Sequence, residues 1–328
     1  MVTSRDVARQ AGVSQATVSR VMRQKPGVAG ATVEKVLEAA SKVGYVPHGA
    51  ARTMKTGRSG NIGVVVDDLS NPYYPELLEA LDAEARASEV RLVVWLAGEK
   101  ANPGAIEAIR SGSIDGLLFT TATQSSHELA EAIQGDRPVV LLNRRIPDLP
   151  FDQIATDNAE GGRLVASHFL SRGHQHIGFV GGPLDASTTF DRLLGFEERL
   201  AEGGLVLSNE RIVHSEYSHK AGFEAYLQLV ESNKNITAVF CANDLLATGV
   251  VDSHREMTKD RGRPLAVVGF DNVSLSEWST YSLTTVRQDS SAMARWGIGR
   301  ILERIQNPGV LAVQKLLSPE LIIRRSSP

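Results

Sequence analysis

The 328-residue chain has one cysteine, Cys241, and no apolar run long enough to cross a bilayer. A lone thiol excludes an intrachain disulfide framework and fits a reducing compartment. Cys241 itself reads as a small buried residue at a strand end. The N-terminal MVTSRDVARQ has no apolar stretch behind its first charges, so no secretory signal is expected and the expected location is cytoplasmic. The sequence also lacks any Ser/His/Asp grouping in a nucleophile context. His174 and His176 alternate without acidic or cysteine companions, so structural roles are favoured over a metal. The turn Gly181-Gly182-Pro183 falls short of a phosphate-binding pattern. No enzyme, cofactor or metal is expected. Net charge is only −3, but its distribution is uneven. Residues 1–60 carry ten Lys/Arg against three Asp/Glu, and the remainder 25 against 35. A small basic head on a larger acidic body suggests a polyanion partner for the head.

The head contains three short amphipathic segments. Thr3-Ser4-Arg5-Asp6 is a capping box, and Val7, Ala8 and Ala11 form the buried side of the helix it opens. Gly12 reverses the chain, Ser14 caps a second helix, and Val18, Val21 and Met22 fall on one arc of it. A third helix from about Ala31 places Val33, Val36, Leu37 and Ala40 inward and ends at Gly44. The short connection between the first two helices is that of a helix-turn-helix. The polar arc of the second helix then faces the DNA major groove. Arg20 suits a guanine and Gln15 an adenine, while Ser14, Thr17 and Ser19 suit phosphates.

From Asn61 onward, short apolar strands alternate with helix-length segments. Strands are expected at 62–66, 91–95, 116–119 and 138–142, then at 176–181, 211–214, 237–241 and 265–269. Two such series imply two similar subdomains of parallel sheet with helices on both faces and a cleft between them. Ligands in such sheets bind beyond the carboxyl ends of strands. The informative positions are therefore Asp67, Asn71 to Tyr74, Asn143-Arg144, Asn243-Asp244 and Asp271. An Arg, an Asp and an Asn suit vicinal hydroxyls, and aromatic faces suit a sugar ring. Tyr73 and Tyr74 also read as core aromatics, Asp271 as a turn cap, and Arg144-Arg145 as a solvated loop.

The head segments TSRDVARQAGVSQATVSRVM and EKVLEAASKVGYVPHGAARTM resemble the lactose repressor/galactose repressor family of bacterial regulators. In the body, GGPLDASTTFDRLLGF, VFCANDLLATG, VVGFDN and LTTVRQD resemble the same family in order. The resemblance implies an all-α three-helix helix-turn-helix headpiece (1–46), a hinge helix and linker (47–60), and an α/β body (61–328). That body is periplasmic-binding-protein-like, with two doubly wound parallel-sheet subdomains, one at about 61–156 and 287–312, the other at about 157–286 and 313–328. It adds Thr3, Ala16 and Arg23 to the DNA-contacting set, and from the hinge Ala51, Arg52 and Met54, the last standing where the family wedges a leucine into the minor groove. It implies that Arg192, Asn243 and Asp271 hydrogen-bond an effector. Tyr73, Tyr74 and Tyr217 flank that effector, Asn143 joins the site, and Gln288 sits near the interlobe crossover.

The expected function is that of a sequence-specific repressor, acting as a homodimer on pseudo-palindromic operator DNA and controlled by a small molecule, a sugar or sugar derivative first. Interface material is expected near 75–87 and 246–251. A purine effector or a partner-protein signal remains the alternative within that class. A sugar-binding transport protein and a sugar-modifying enzyme are the rivals outside it.

Overall fold

The computed structural model describes residues 2–22, 26–45, 57–97, 103–121, 127–132, 135–146, 151–259 and 264–328. The chain divides into two compact units, Met1–Ser59 and Gly60–Pro328.

The first unit contains α1 (Ser4–Ala11), α2 (Gln15–Val21) and α3 (Gly30–Lys42). α1 starts where the Asp6 carboxylate accepts from the Thr3 N–H at 2.9 Å and from the Thr3 hydroxyl at 2.7 Å. Those bonds, with the nearby Arg9, hold the Asp6 carboxyl below its ordinary range. The helix stops at Gly12, whose φ of +64° is open to glycine without a Cβ clash. Ser14 caps α2 by accepting from the Thr17 N–H at 3.1 Å. Val7, Val18, Val21, Val36, Ala39 and Ala40 meet in one small core. Leu37 is the exception to the expected inward face. It is 51% exposed, because the core takes the 33, 36 and 40 stripe and one further 100° step leaves it. Arg23 and the expected hinge helix, with Ala51, Arg52 and Met54, lie outside the described residues.

The second unit has two six-stranded sheets. The first is built from β1 (Asn61–Val66), β2 (Arg91–Leu96), β3 (Gly116–Phe119), β4 (Val139–Leu142) and β5 (Asp152–Thr156), with helices α4 (Tyr73–Ala87), α5 (Pro103–Ser111) and α6 (His127–Ala132). The second follows with α7 (Asn158–Ser171), β6 (Ile177–Gly181), α8 (Ser187–Glu202), β7 (Ile212–His214), α9 (His219–Ser232), β8 (Ala238–Cys241), α10 (Asp244–Thr258), β9 (Ala266–Asp271) and β10 (Thr284–Arg287). α11 (Ser290–Gln306) then packs back on the first sheet, and β11 (Gln314–Leu317) and β12 (Glu320–Ile322) close one sheet each. The strand orders are β2-β1-β3-β4-β5-β11 and β7-β6-β8-β9-β10-β12, the same doubly wound order twice. Every pairing is parallel except β10 with β12. The fully buried strands read as near-continuous apolar runs because helices cover both faces.

Two sequence-based expectations are corrected here. The resemblance puts residues from 313 in the second subdomain, but β11 pairs in parallel with β5 of the first sheet, so the final crossing follows Leu317. Leu246, Ala247 and Val250 belong to the second subdomain's own core rather than to an exposed interface. No helix among the described residues is long and apolar enough to cross a membrane.

Close backbone contact fixes α7 against α8. A Cβ on Gly195 would lie 1.9 Å from the Ala159 carbonyl oxygen, and one on Gly162 would lie 2.2 Å from that of Arg192. Backbone cannot yield as a side-chain tip does. Gly195→Ala is therefore expected to lower stability by about 1–3 kcal/mol, read as a reduced urea midpoint. An unchanged midpoint would mean that the helices separate freely. The same contact sets the position of Arg192 on α8.

Candidate functional site

In the head, α2 buries Val18 and Val21 and exposes Gln15, Ala16 and Arg20, with Thr17 and Ser19 half-buried. The expected polar arc is thus the accessible one. Two hydroxyls there are already paired, the Ser14 and Thr17 oxygens lying 2.9 Å apart. Gln15 Nε2 donates to Ser4 Oγ at 2.8 Å, which joins the starts of α1 and α2. Arg20 is an exposed cation whose guanidinium has the fork geometry that suits a base edge.

In the body, Asp271 ends β9 and Gln288 follows β10, while Arg192 lies on α8. Arg192 is buried, donates through Nε to Asn158 Oδ1 at 2.8 Å and through Nη1 to the Ala242 carbonyl, and stacks 3.6 Å above the Phe270 ring. Its Nη2 lies 3.5 Å from Asp271 Oδ1. Gln288 Nε2 donates to that same oxygen at 2.7 Å, and Thr156 Oγ1 donates to Gln288 Oε1 at 2.7 Å. Thr156 ends β5 of one sheet and Asp271 ends β9 of the other, so this polar chain bridges the two subdomains. Asn158 and Thr156 were not singled out in the sequence; each follows or ends a strand that polar residues disguise.

Asp271 is held at a cost. Its φ of +112° is a region that favours glycine, as is the +70° of Asn143. Backbone strain of this kind gathers at ligand sites. Burial raises its carboxyl to about 6, with Arg192 and the Gln288 bond pulling down and Glu76 pushing up. The neighbouring Asp244 is pushed well above the carboxylate range by burial and by the Asp271 charge. It accepts from Thr285 Oγ1 at 2.5 Å and from the Val273 N–H at 3.0 Å, so it organises the β9 and β10 ends.

The raised value has a stability consequence. Below about pH 4 Asp271 is protonated in folded and unfolded states alike. Between about pH 4 and 6 the unfolded chain releases its proton while the folded one retains it, so folding loses stability as pH rises. From 3.8 to about 6 the loss is about 3 kcal/mol. Asp271→Asn is expected to escape it, gaining on the wild type by about that amount between pH 4 and pH 7. Urea unfolding at the two pH values measures this, and a constant difference would contradict it.

The other expected residues are more dispersed. The Tyr73 and Tyr74 rings lie edge to face at 5.5 Å and both belong to the first subdomain's core. The Tyr73 hydroxyl meets Met293 Sδ at 3.7 Å, and burial pushes both phenols upward. Tyr217 packs its ring on Gly182 and its hydroxyl lies 2.7 Å from Thr189 Oγ1. The Asn243 oxygen is engaged as the cap of α10, accepting from the Leu246 N–H at 2.9 Å. A cavity of about 630 Å³ at the crossover is lined by Tyr73, Glu76, Asp271, Arg287 and Gln288 among others; Arg192, Asn143, Tyr217 and Asn243 are not on its wall.

This chain matches two family descriptions: "Bacterial regulatory proteins, lacI family" over residues 3–48, and "Periplasmic binding protein-like domain" over residues 166–327. It is 30% identical to the HTH-type transcriptional repressor PurR of Histophilus somni (strain 2336), over 99% of each chain. The chain belongs to the lacI family of bacterial regulatory proteins. It is also 27% identical to the ribose operon repressor of Haemophilus influenzae, over 99% of this chain and 98% of that one. Among solved structures it is similar to the lac repressor dimer bound to operator and the anti-inducer ONPF, with a TM-score of 0.86, 26% identity and 99% of each chain covered. This lacI-family chain is therefore a DNA-binding transcriptional repressor under effector control, and not an enzyme. Its fold is a helix-turn-helix head followed by a two-sheet α/β body.

Proposed function

We propose that the protein represses transcription from the bacterial cytoplasm as a homodimer on a pseudo-palindromic operator. Gln15, Ala16 and Arg20 select bases, with Thr3, Ser14, Thr17, Ser19 and Arg23 on phosphates. Ala51, Arg52 and Met54 complete the contact in the minor groove. The body binds a polar effector, a sugar or sugar derivative, among Arg192, Asp271, Gln288, Asn243 and Asn143, flanked by Tyr73, Tyr74 and Tyr217.

One observation carries this reading: the Thr156–Gln288–Asp271–Arg192 chain runs from one sheet to the other. A ligand that competes for Asp271 or Arg192 changes the bond holding the subdomains together, which is the differential contact an effector needs. A relative named for ribose supports a sugar. A purine is the second reading, favoured by the relatives named PurR and by aromatic rings beside an Arg and an Asp. The test is operator binding by fluorescence anisotropy with sugars, sugar phosphates, sugar acids and purines added in turn. A change of operator affinity with one class supports the reading. No change with any of them counts against it.

A further inference from the structure

Between β9 and β10 the chain leaves one core and enters the other. Val267, Val268 and Phe270 of β9 lie in the second subdomain's core. Val273, only 2% exposed, lies instead in the first subdomain's apolar cluster, with Tyr73 and Leu77 of α4 and Met293 of α11. Among the described residues it is the only buried member of that cluster that the second subdomain supplies. Leu275 packs against the same cluster. The backbone crosses through Asp271 and Asn272, whose φ values of +112° and +55° both lie in the left-handed region. It stays tied to its own subdomain. The Asn272 N–H donates to Thr285 Oγ1 at 3.3 Å, the Val273 N–H to Asp244 Oδ2 at 3.0 Å, and the Leu283 N–H to the Ser276 carbonyl at 2.7 Å. Between those ties the Ser274 N–H donates across to a Glu76 carboxylate oxygen of α4 at 2.8 Å. Residues 271–276 are therefore a strap, anchored at both ends in the second subdomain and seated in the first by a buried side chain and an amide.

We propose that Val273 and Glu76 are positioning residues of effector control, carrying a displacement of Asp271 into α4. Asp271 stands two residues before Val273, and the ties at Asn272 and Val273 both lead to the second subdomain. A ligand that shifts Asp271 against the first subdomain therefore shifts Val273 with it. A side chain packed at interior density has no room to slide, so Val273 either takes α4 along or gives up its seat. Giving it up costs apolar burial and the Ser274–Glu76 bond together. The strap thus has two discrete arrangements, and α4 registers which one is occupied. This inference rests on the coupling of cleft and head proposed above.

Coupling between sites is reciprocal, so operator DNA serves as the probe. The test is amide hydrogen exchange of the full-length protein, free and saturated with an operator duplex that it selects from random sequence. In the wild type, operator is expected to change exchange of the 272–276 amides by at least about fivefold. In Val273→Ala that change is expected to fall below about twofold. Glu76→Ala, which removes only the acceptor of the Ser274 N–H, is expected to give an intermediate change. Each ratio compares one variant bound and free, so a uniform loss of stability, which speeds exchange in both states, cancels. Circular dichroism confirms that each variant is folded, and if Val273→Ala is not, Glu76→Ala carries the test. A change of wild-type size in the variant that carries the test overturns the inference. An unresponsive strap in the wild type, while other parts of the body respond to operator, also overturns it and leaves cleft and head coupled by another route. No operator-dependent change anywhere in the body overturns both readings.

Discussion

Asp271→Ala is expected to leave operator affinity within about threefold of wild type while abolishing the effector response. Coupling between two sites is a free energy of about 1–3 kcal/mol, and it vanishes when one ligand loses its differential contact. Asp271 is where we propose that contact. It receives Gln288 from the crossover and faces Arg192 from α8, so its removal cuts the polar chain between the sheets. The fold should survive the change, because burial already disfavours the charged form at this position. Operator titrations with and without effector measure both quantities. A folded variant that still binds effector but no longer binds operator would reverse the assignment.

Arg20→Ala is expected to weaken specific operator binding by about 1–3 kcal/mol, roughly 10- to 100-fold, and to relax preference at one base pair in each half-site. The residue is exposed on a helix whose opposite side, Val18 and Val21, closes the head core. Its loss therefore removes a contact and leaves the packing intact. Competition with operators substituted base by base separates this from a phosphate contact, whose loss would weaken all sequences alike. Retention of both affinity and base preference would move the recognition surface elsewhere.

The head was legible because its signals are local. Thr3 with Asp6, Gly12 and Ser14 act within a few residues of themselves, and the structure shows each at its station. Leu37 shows the limit: its spacing satisfies a helical stripe, but the breadth of that stripe depends on how much neighbour there is to cover it. The eight apolar strands were legible for a similar reason. β5 was not, because Asp152 and Gln153 read as a loop. They are fully buried, with Asp152 held by Arg300 and Arg304 and Gln153 by the backbone of Ile146, partners that only tertiary structure supplies. β11 failed as a signal for the opposite reason, being a four-residue edge, Gln314 to Leu317, whose first three residues face solvent.

The site was legible as a set of strand ends and less so as chemistry. Asp271, which the strand-end rule picks out, lies 3.5 Å from Arg192, which only the family resemblance adds. Asn243 turned out to have its oxygen engaged in a helix cap, a role its position before α10 equally allows. Nothing in the pair Arg144-Arg145 distinguishes its members. Yet Arg144 is buried without a carboxylate among the described residues, while Arg145 is half-buried and lies 3.9 Å from Asp191. Charge balance is a property of assembled neighbours, and no window of sequence reports it.

The central claim is that the operator-binding head and the effector cleft are coupled, and linkage offers the most direct measurement. Effector affinity is to be determined by titration of the free dimer and of the dimer saturated with operator DNA. The account predicts that the two dissociation constants differ by the same factor by which effector changes operator affinity, about 5- to 150-fold. Equal constants in the two titrations would contradict it.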